Sequence, residues 1–138
     1  MPKRFPLEIF SPDGKHYEDH AEILNVRLSD GEIGIMAGHS PLIGVIDTSQ
    51  MNFKRDGKTF EFAISGGILN VQDDKVVILA DSFETRDEID LARAKKAVER
   101  AKGLIEKAKE KETDNIDLIR AQTALRKAIN RITLIERK

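Results

Sequence analysis

The last third of the chain carries two stripes of apolar residues that fit together as an antiparallel pair of helices. Each stripe has an apolar residue at alternating steps of three and four, the spacing of a helix that buries one narrow face. The stripes are Leu91, Ala94, Val98, Ala101, Ile105, Ala108 and Leu118, Ala121, Leu125, Ala128, Ile132, Ile135. Paired head to tail, 91 with 135 through 108 with 118, the two residue numbers add to 226 in all six layers. A constant sum is the register of an antiparallel helical hairpin.

This seam is thin, because an alanine faces a larger residue in every layer except the one that pairs Leu91 with Ile135. Small residues let the helices approach closely but bury little apolar area. The hairpin is therefore predicted to be marginally stable, as a ligand-controlled switch would be. An ordinary docked hairpin is the alternative.

The first part of the chain has the pattern of β-structure. Short stretches alternate apolar and polar residues, as in Leu24, Val26 and Leu28, between turn signals at residues 13–14, 30–31, 56–57 and 73–74. We predict eight to ten strands forming an antiparallel β-sandwich or flattened barrel over residues 1–84, with the helical hairpin over 85–138. Thr85 is predicted to open a capping box for the first helix, and Asp114 to cap the second.

Composition and charge narrow the class of protein. The chain has 138 residues and no cysteine, which excludes disulfides and thiolate metal sites. No apolar run is long enough to span a bilayer, and the N-terminus lacks a signal core, so a cytosolic or cytosol-facing location is predicted. Residues 1–92 hold 9 Lys and Arg against 17 Asp and Glu, whereas 93–138 hold 14 against 7. An acidic head thus precedes a basic tail.

The sequence gives little support to catalysis or nucleic-acid binding. His16, His20 and His39 lack the spacing of metal ligands or of a catalytic triad, and no phosphate-binding loop is present. His39 lies in a turn, where a structural or docking role is expected. A small enzyme on a β-sandwich and a nucleic-acid binder remain as alternatives, although the tail from residue 84 onward has no aromatic residue for base stacking.

Basic residues flank the seam at one end of the predicted hairpin. The constant-sum register brings Arg93 near Arg131, and Arg100 near Arg126 and Lys127. Like charges at this spacing repel, so a compact polyanion that bridges the helices would stabilise the closed hairpin. Guanidinium groups pair well with phosphate oxygens. A solvated basic face is the alternative.

Three segments resemble the epsilon subunit of bacterial F-type ATP synthase: SDGEIGIMAGHSPLIGVI, FAISGGILNVQDDKVVILAD and the tail that begins EIDLARAKKAVERA. The resemblance implies a non-catalytic subunit of the central stalk, peripheral at the cytoplasmic face of the membrane. It implies a β-sandwich that contacts the gamma subunit and the c-subunit ring. It also implies a hairpin that can extend toward the alpha and beta subunits and inhibit ATP hydrolysis.

The segment from Ile89 to Ala94 matches the I/L-D-x-x-R-A motif of epsilon subunits that bind ATP as a regulatory ligand. The resemblance implies that Glu84 recognises the adenine edge, that Asp90 holds either Arg93 or the ribose, and that the arginines bind the phosphates. The ATP site is predicted to comprise Glu84, Asp90, Arg93, Ala94, Arg100, Arg126, Lys127 and Arg131. Lys127 stands where the ATP-binding pattern has arginine, so the charge is kept without the planar fork. The need for magnesium stays open, as does a structural and inhibitory epsilon subunit without useful nucleotide binding.

Overall fold

The structure, a computed structural model, describes residues 3–110 and 115–137. The chain forms two compact units, Met1–Asp87 and Glu88–Lys138. The first is built from strands and the second from two helices, which confirms the predicted fold class.

Eight strands make up the first unit. They are β1 (Phe5–Phe10), β2 (His16–Ala21), β3 (Ile23–Leu28), β4 (Gly31–Met36), β5 (Leu42–Ile46), β6 (Ser49–Arg55), β7 (Lys58–Gln72) and β8 (Lys75–Thr85). Hydrogen bonding orders them β2-β1-β8-β7-β5-β3-β4, with β6 between β3 and β7. All pairings are antiparallel except that of β1 with β8.

The two longest strands, β7 and β8, pair with each other from Phe62 to Gln72 of β7. The first half of β7 pairs with β6, and its second half pairs with β5. The change of partner falls at Gly66 and Gly67, both with positive φ. A Cβ atom on Gly67 would lie 2.3 Å from the carbonyl oxygen of Leu79, so only glycine allows β8 to approach this closely.

Because side chains of a strand point alternately to its two faces, every second residue along these strands enters a common core. Phe5, Leu7, Ile9, Phe53 and Phe62 are each at most 1% exposed. Tyr17 closes one edge of this core, with its ring 5.0 Å from that of Phe62 and its hydroxyl donating to Asp19 Oδ2. Burial, with the charge of Asp19 beside it, raises the pKa of Tyr17 to about 12.

The second unit consists of α1 (Leu91–Glu110) and α2 (Asn115–Glu136), which pack against each other. None of the twelve predicted seam residues is exposed, and Ala94, Val98, Ala101, Ala121 and Ala128 are buried. The helices are antiparallel, because Lys95 Nζ near the start of α1 lies 3.7 Å from Glu136 Oε1 at the end of α2. The predicted hairpin is therefore confirmed.

Two features of the second helix were not predicted. Leu134, fully buried, and Asn130, 9% exposed, lie beside the seam rather than on it, so the second half of α2 is covered over a wider arc than one stripe. The predicted cap at Asp114 lies outside the described residues.

The predicted start of the first helix was wrong. Thr85 is the last residue of β8, and a 3-10 turn over Arg86–Glu88 follows it. The turn is held to β7 by Arg86, whose Nη1 lies 3.0 Å from Glu61 Oε1. The capping pattern at Thr85 fails because Thr85 itself belongs to the ladder with β7, where it pairs with Phe62.

Candidate functional site

Asp90 caps the first helix. Its Oδ1 accepts a hydrogen bond of 3.1 Å from the backbone N–H of Arg93, and its carbonyl oxygen accepts one of 3.0 Å from the N–H of Ala94. An aspartate at this position satisfies a helix N–H that has no partner within the helix, and its charge suits the positive end of the helix dipole. The carboxylate thus contacts the main chain of Arg93, which fixes where that side chain leaves the helix.

The basic residues of the predicted site lie on both helices of the hairpin. Arg93 and Arg100 are exposed on α1, and Arg126 is exposed on α2, whereas Lys127 and Arg131 are half-buried. Because the start of α1 lies beside the end of α2, Arg93 and Arg131 are on the halves of the helices that face each other. We define Arg93, Arg100, Arg126, Lys127 and Arg131 as the hairpin cation cluster.

Most of this cluster is free to meet an anion. In the part of the chain that the structure describes, the side chains of Arg93, Arg100, Arg126 and Lys127 carry no ion pair within 4.0 Å. Nearby Lys95 has Glu136 as its partner, so not every cation at this end is available. The arrangement can bind a polyanion with groups from two helices at once.

The other two predicted residues have different positions. Ala94 belongs to the seam and is 3% exposed, and its backbone N–H is already bonded to the carbonyl oxygen of Asp90, so Ala94 packs the helices together and presents no free group to a ligand. Glu84 is half-buried on β8, where it pairs with Ala63, and it belongs to the first unit. The predicted residues are therefore distributed over both units, seven on the second and one on the first.

The predicted turn at His39 is confirmed, because the backbone N–H of His39 donates to the carbonyl oxygen of Met36 at 3.2 Å. The backbone N–H of Gly38 donates to Asp74 Oδ1 at 2.6 Å, and His39 Nδ1 lies 2.7 Å from the carbonyl oxygen of Ser40. His16 lies elsewhere, stacked on Phe10 and 3.3 Å from Glu8 Oε2. Among residues 3–110 and 115–137, no three His, Asp or Glu side chains are grouped so as to hold a metal ion.

An apolar surface on the sandwich was missed by the sequence analysis. Ile43 and Val45 on β5, Ile68 on β7 and Leu79 on β8 are 74%, 58%, 48% and 55% exposed. Val45 pairs with Ile68, and Ile68 pairs with Leu79, so the three share one face of the sheet. We call these four residues the apolar stripe. The sequence signal for this surface was the run from Leu42 to Ile46, which contains no polar side chain. A strand with apolar side chains on both faces is typically covered on both faces by other parts of the protein or by a partner.

Comparison with known proteins matches both units. Residues 4–86 match the family of the ATP synthase delta/epsilon chain β-sandwich domain, and residues 87–136 match that of its long α-helix domain. The sandwich and hairpin therefore define a subunit of an F-type ATP synthase stalk. The chain belongs to the ATP synthase epsilon family, and as an epsilon subunit it is a non-catalytic component.

Individual relatives agree along almost the whole chain. The ATP synthase epsilon chain of Caldicellulosiruptor saccharolyticus is 44% identical over 134 residues, 97% of this chain and 95% of the relative. The ATP synthase epsilon chain of Bacillus licheniformis is 41% identical over 130 residues, which cover 94% of this chain and 96% of the relative. A chain of the Euglena gracilis mitochondrial ATP synthase OSCP/F1/c-ring structure has the same fold, with a TM-score of 0.72 at 24% identity, covering 91% of this chain and 78% of that one.

Proposed function

We propose that this epsilon subunit regulates its ATP synthase by sensing ATP with the closed hairpin. The observation that carries the proposal is the start of α1, where Asp90 caps the helix through the backbone N–H of Arg93, and where Lys95, two residues further on, reaches Glu136 at the end of α2. The I-D-x-x-R-A motif is thereby an ordered helix start next to cations from a second helix.

Electrostatics supports ATP as the ligand. The hairpin cation cluster holds five cations, and the one carboxylate among the predicted hairpin residues, Asp90, is already engaged with the main chain. Triphosphate oxygens would relieve the repulsion among these cations, and each charge-assisted contact is stronger than a neutral hydrogen bond. The proposal does not depend on Glu84, which lies in the first unit.

Regulation follows from the two-helix origin of the cluster. ATP bound to Arg93 and Arg131 together favours the closed hairpin by its difference in affinity for the closed and open forms. When ATP is scarce, the open form gains population and extends toward the alpha and beta subunits, where it blocks wasteful hydrolysis. The subunit then acts as a brake that high ATP releases.

We propose that the sandwich supplies the anchorage in the central stalk. The apolar stripe would be covered by the gamma subunit, since contiguous apolar residues this exposed mark an interaction surface. The turns at the end of the sandwich, including that at His39, would contact the c-subunit ring. Within the described residues no helix has the length and hydropathy to span a bilayer. We place the subunit at the cytoplasmic face of the membrane, held there by its partners.

The ATP proposal is tested by thermal unfolding of the full chain with and without millimolar ATP, in the presence and absence of magnesium. ATP should raise the melting temperature. Arg93→Ala or Arg131→Ala should each cost about 1.5–3 kcal/mol of binding, roughly a tenfold or greater loss of affinity. Lys127→Arg should strengthen binding, because the planar fork is restored.

Lys96→Ala is the matched control, since Lys96 is an exposed cation of α1 outside the cluster. It should leave the ATP response unchanged. A melting temperature that ignores ATP in the unmutated chain would reject the sensor and leave a structural, inhibitory epsilon subunit. Equal responses in the Arg93, Arg131 and Lys96 variants would place ATP elsewhere.

The anchorage is tested separately, by competition for a reconstituted enzyme that lacks epsilon. Ile68→Thr should weaken assembly while leaving the melting temperature of the isolated chain nearly unchanged, because Ile68 is half-exposed. Met36→Thr, which changes an exposed apolar residue of β4 outside the stripe, is the control. If the Ile68 and Met36 variants assembled equally well, the apolar stripe would not be part of the interface.

A further inference from the structure

A second, independent surface lies at the other end of the hairpin. A groove of about 470 Å³ runs between the end of α1 and the start of α2, and it is lined by Leu104, Lys107, Ala108, Asp117, Arg120, Ala121 and Ala124. This volume lies within the range of about 300–1,000 Å³ that small-molecule sites occupy. None of the seven belongs to the predicted ATP site.

The floor of the groove is apolar because the seam is built from small residues here. Ala108 of α1 is half-buried and Ala121 of α2 is 4% exposed, so their methyl groups form a narrow bottom. Ala124 is exposed on the wall, and Leu104 opposite it is 46% exposed. An apolar chain laid along the groove would cover surface that is now in contact with water.

The rim of the groove carries one cation from each helix. Lys107 belongs to α1 and Arg120 to α2, and in the described part of the chain neither side chain has a carboxylate within 4.0 Å. Asp117 also lines the groove, which leaves a net charge of +1. A single negative charge is therefore favoured there, whereas a triphosphate would meet the carboxylate of Asp117.

We propose that this groove binds a monomeric amphipathic anion, a carboxylate on one acyl chain. The chain would lie over Ala108, Ala121 and Ala124, with its carboxylate between Lys107 and Arg120. A nucleotide base is a poor occupant, because no aromatic side chain lines the groove. The occupant touches both helices, so it holds the hairpin closed without competing with ATP.

The test is titration of the full chain with decanoate below its micelle concentration, followed by residue-resolved amide shifts. We expect shifts at the end of α1 and the start of α2, and a rise in melting temperature. Decanol, the neutral match, should bind at least tenfold more weakly. The double variant Lys107→Gln with Arg120→Gln should lose a similar factor for decanoate and little for decanol.

Ala124→Leu is a second variant that fills the groove from an exposed position and spares the seam. It should lose most decanoate binding while the helices stay folded. Lys96→Gln and Arg93→Ala lie outside the groove and should bind decanoate normally in the absence of ATP. The Arg93 result separates this proposal from the ATP site.

Several results would overturn the proposal. Shifts confined to the apolar stripe would show that decanoate binds the sandwich. Equal binding of decanol and decanoate would remove the role of Lys107 and Arg120. Binding to anionic vesicles with no response to the monomer would show a lipid surface in place of a groove, and unchanged binding by Ala124→Leu would exclude the groove itself.

Discussion

Replacing Ala101 by leucine should open the hairpin while the sandwich stays folded. Ala101 is 2% exposed in the middle of the seam, where the constant-sum register sets it opposite Leu125. Three additional carbon atoms have no space between helices this close, and overpacking of this kind typically costs about 1–3 kcal/mol. The extended form escapes that cost, because its helices are apart. The ratio of closed to open hairpin should therefore fall roughly 5–150-fold.

The separation of the helix ends is the direct measurement. The chain has no native cysteine, so a Lys95→Cys and Glu136→Cys pair can carry a donor and an acceptor dye. These positions are in contact in the closed form, where the charged groups lie 3.7 Å apart. In the Ala101→Leu background, energy transfer should drop, hydrogen exchange along the seam should rise, and exchange in the strands should stay unchanged.

Gly103→Ala is the control in the same helix. Gly103 is exposed, and a Cβ atom placed on it would meet nothing within 4 Å. The change should stabilise α1 by roughly 0.5–1 kcal/mol and leave energy transfer high. If Ala101→Leu also keeps high energy transfer, the seam is not close-packed and the reasoning fails. If both variants opened the hairpin, packing in the seam would not be what keeps the hairpin closed.

Four further predictions concern other parts of the chain. Gly67→Ala should destabilise the sandwich by several times the roughly 1 kcal/mol typical of a point mutation, measured by urea unfolding, because its Cβ would overlap the β8 backbone. Asp90→Asn should retain most ATP binding in calorimetry and Asp90→Ala should lose more, since asparagine still caps the helix; equal losses would show a role for the charge. His39→Ala should bind ATP normally, because His39 lies in the other unit. Burial is the largest influence on the pKa of Asp19 and opposes its ionisation, but hydrogen bonds from Arg55 at 2.9 and 3.1 Å, from the His20 backbone N–H and from Tyr17, with the charge of Arg55, together outweigh burial and lower the pKa. These contacts stabilise the fold above the unfolded pKa of about 3.9, and the stabilisation is lost as pH falls through the lower folded pKa, so the stability gap to Asp19→Asn should close in acid melts.

The seam could be predicted because it depends on spacing alone. Twelve positions at alternating steps predict two helices and their antiparallel direction, and no distant residue is needed to interpret them. The sandwich was predictable for the same reason, since alternation and turn residues are local signals. The positive φ of Asp56, Asp73 and Asp74 falls where the sequence predicted turns.

The features that were missed depend on distant partners. Thr85 has the local pattern of a helix cap, but it pairs with Phe62 of β7 and is the last residue of β8. Leu134 breaks the seam spacing and is nevertheless fully buried, which no periodicity along α2 would indicate. The apolar stripe combines three strands, so its members come together only once the register of those strands is known.

The continuity of β7 past its change of partner strand has a mechanical consequence for a subunit of an ATP synthase. Sheets joined only by side-chain packing can slide past each other under torque, since dispersion contacts resist shear weakly. Here the covalent backbone of the 15-residue β7 joins the part that pairs with β6 to the part that pairs with β5, and it carries tension between them. Sliding would require the ladder between β7 and β8 to break along its length. The weakest point under load is then the bend at Gly66 and Gly67, and a force-spectroscopy trace pulled across β7 should yield there first.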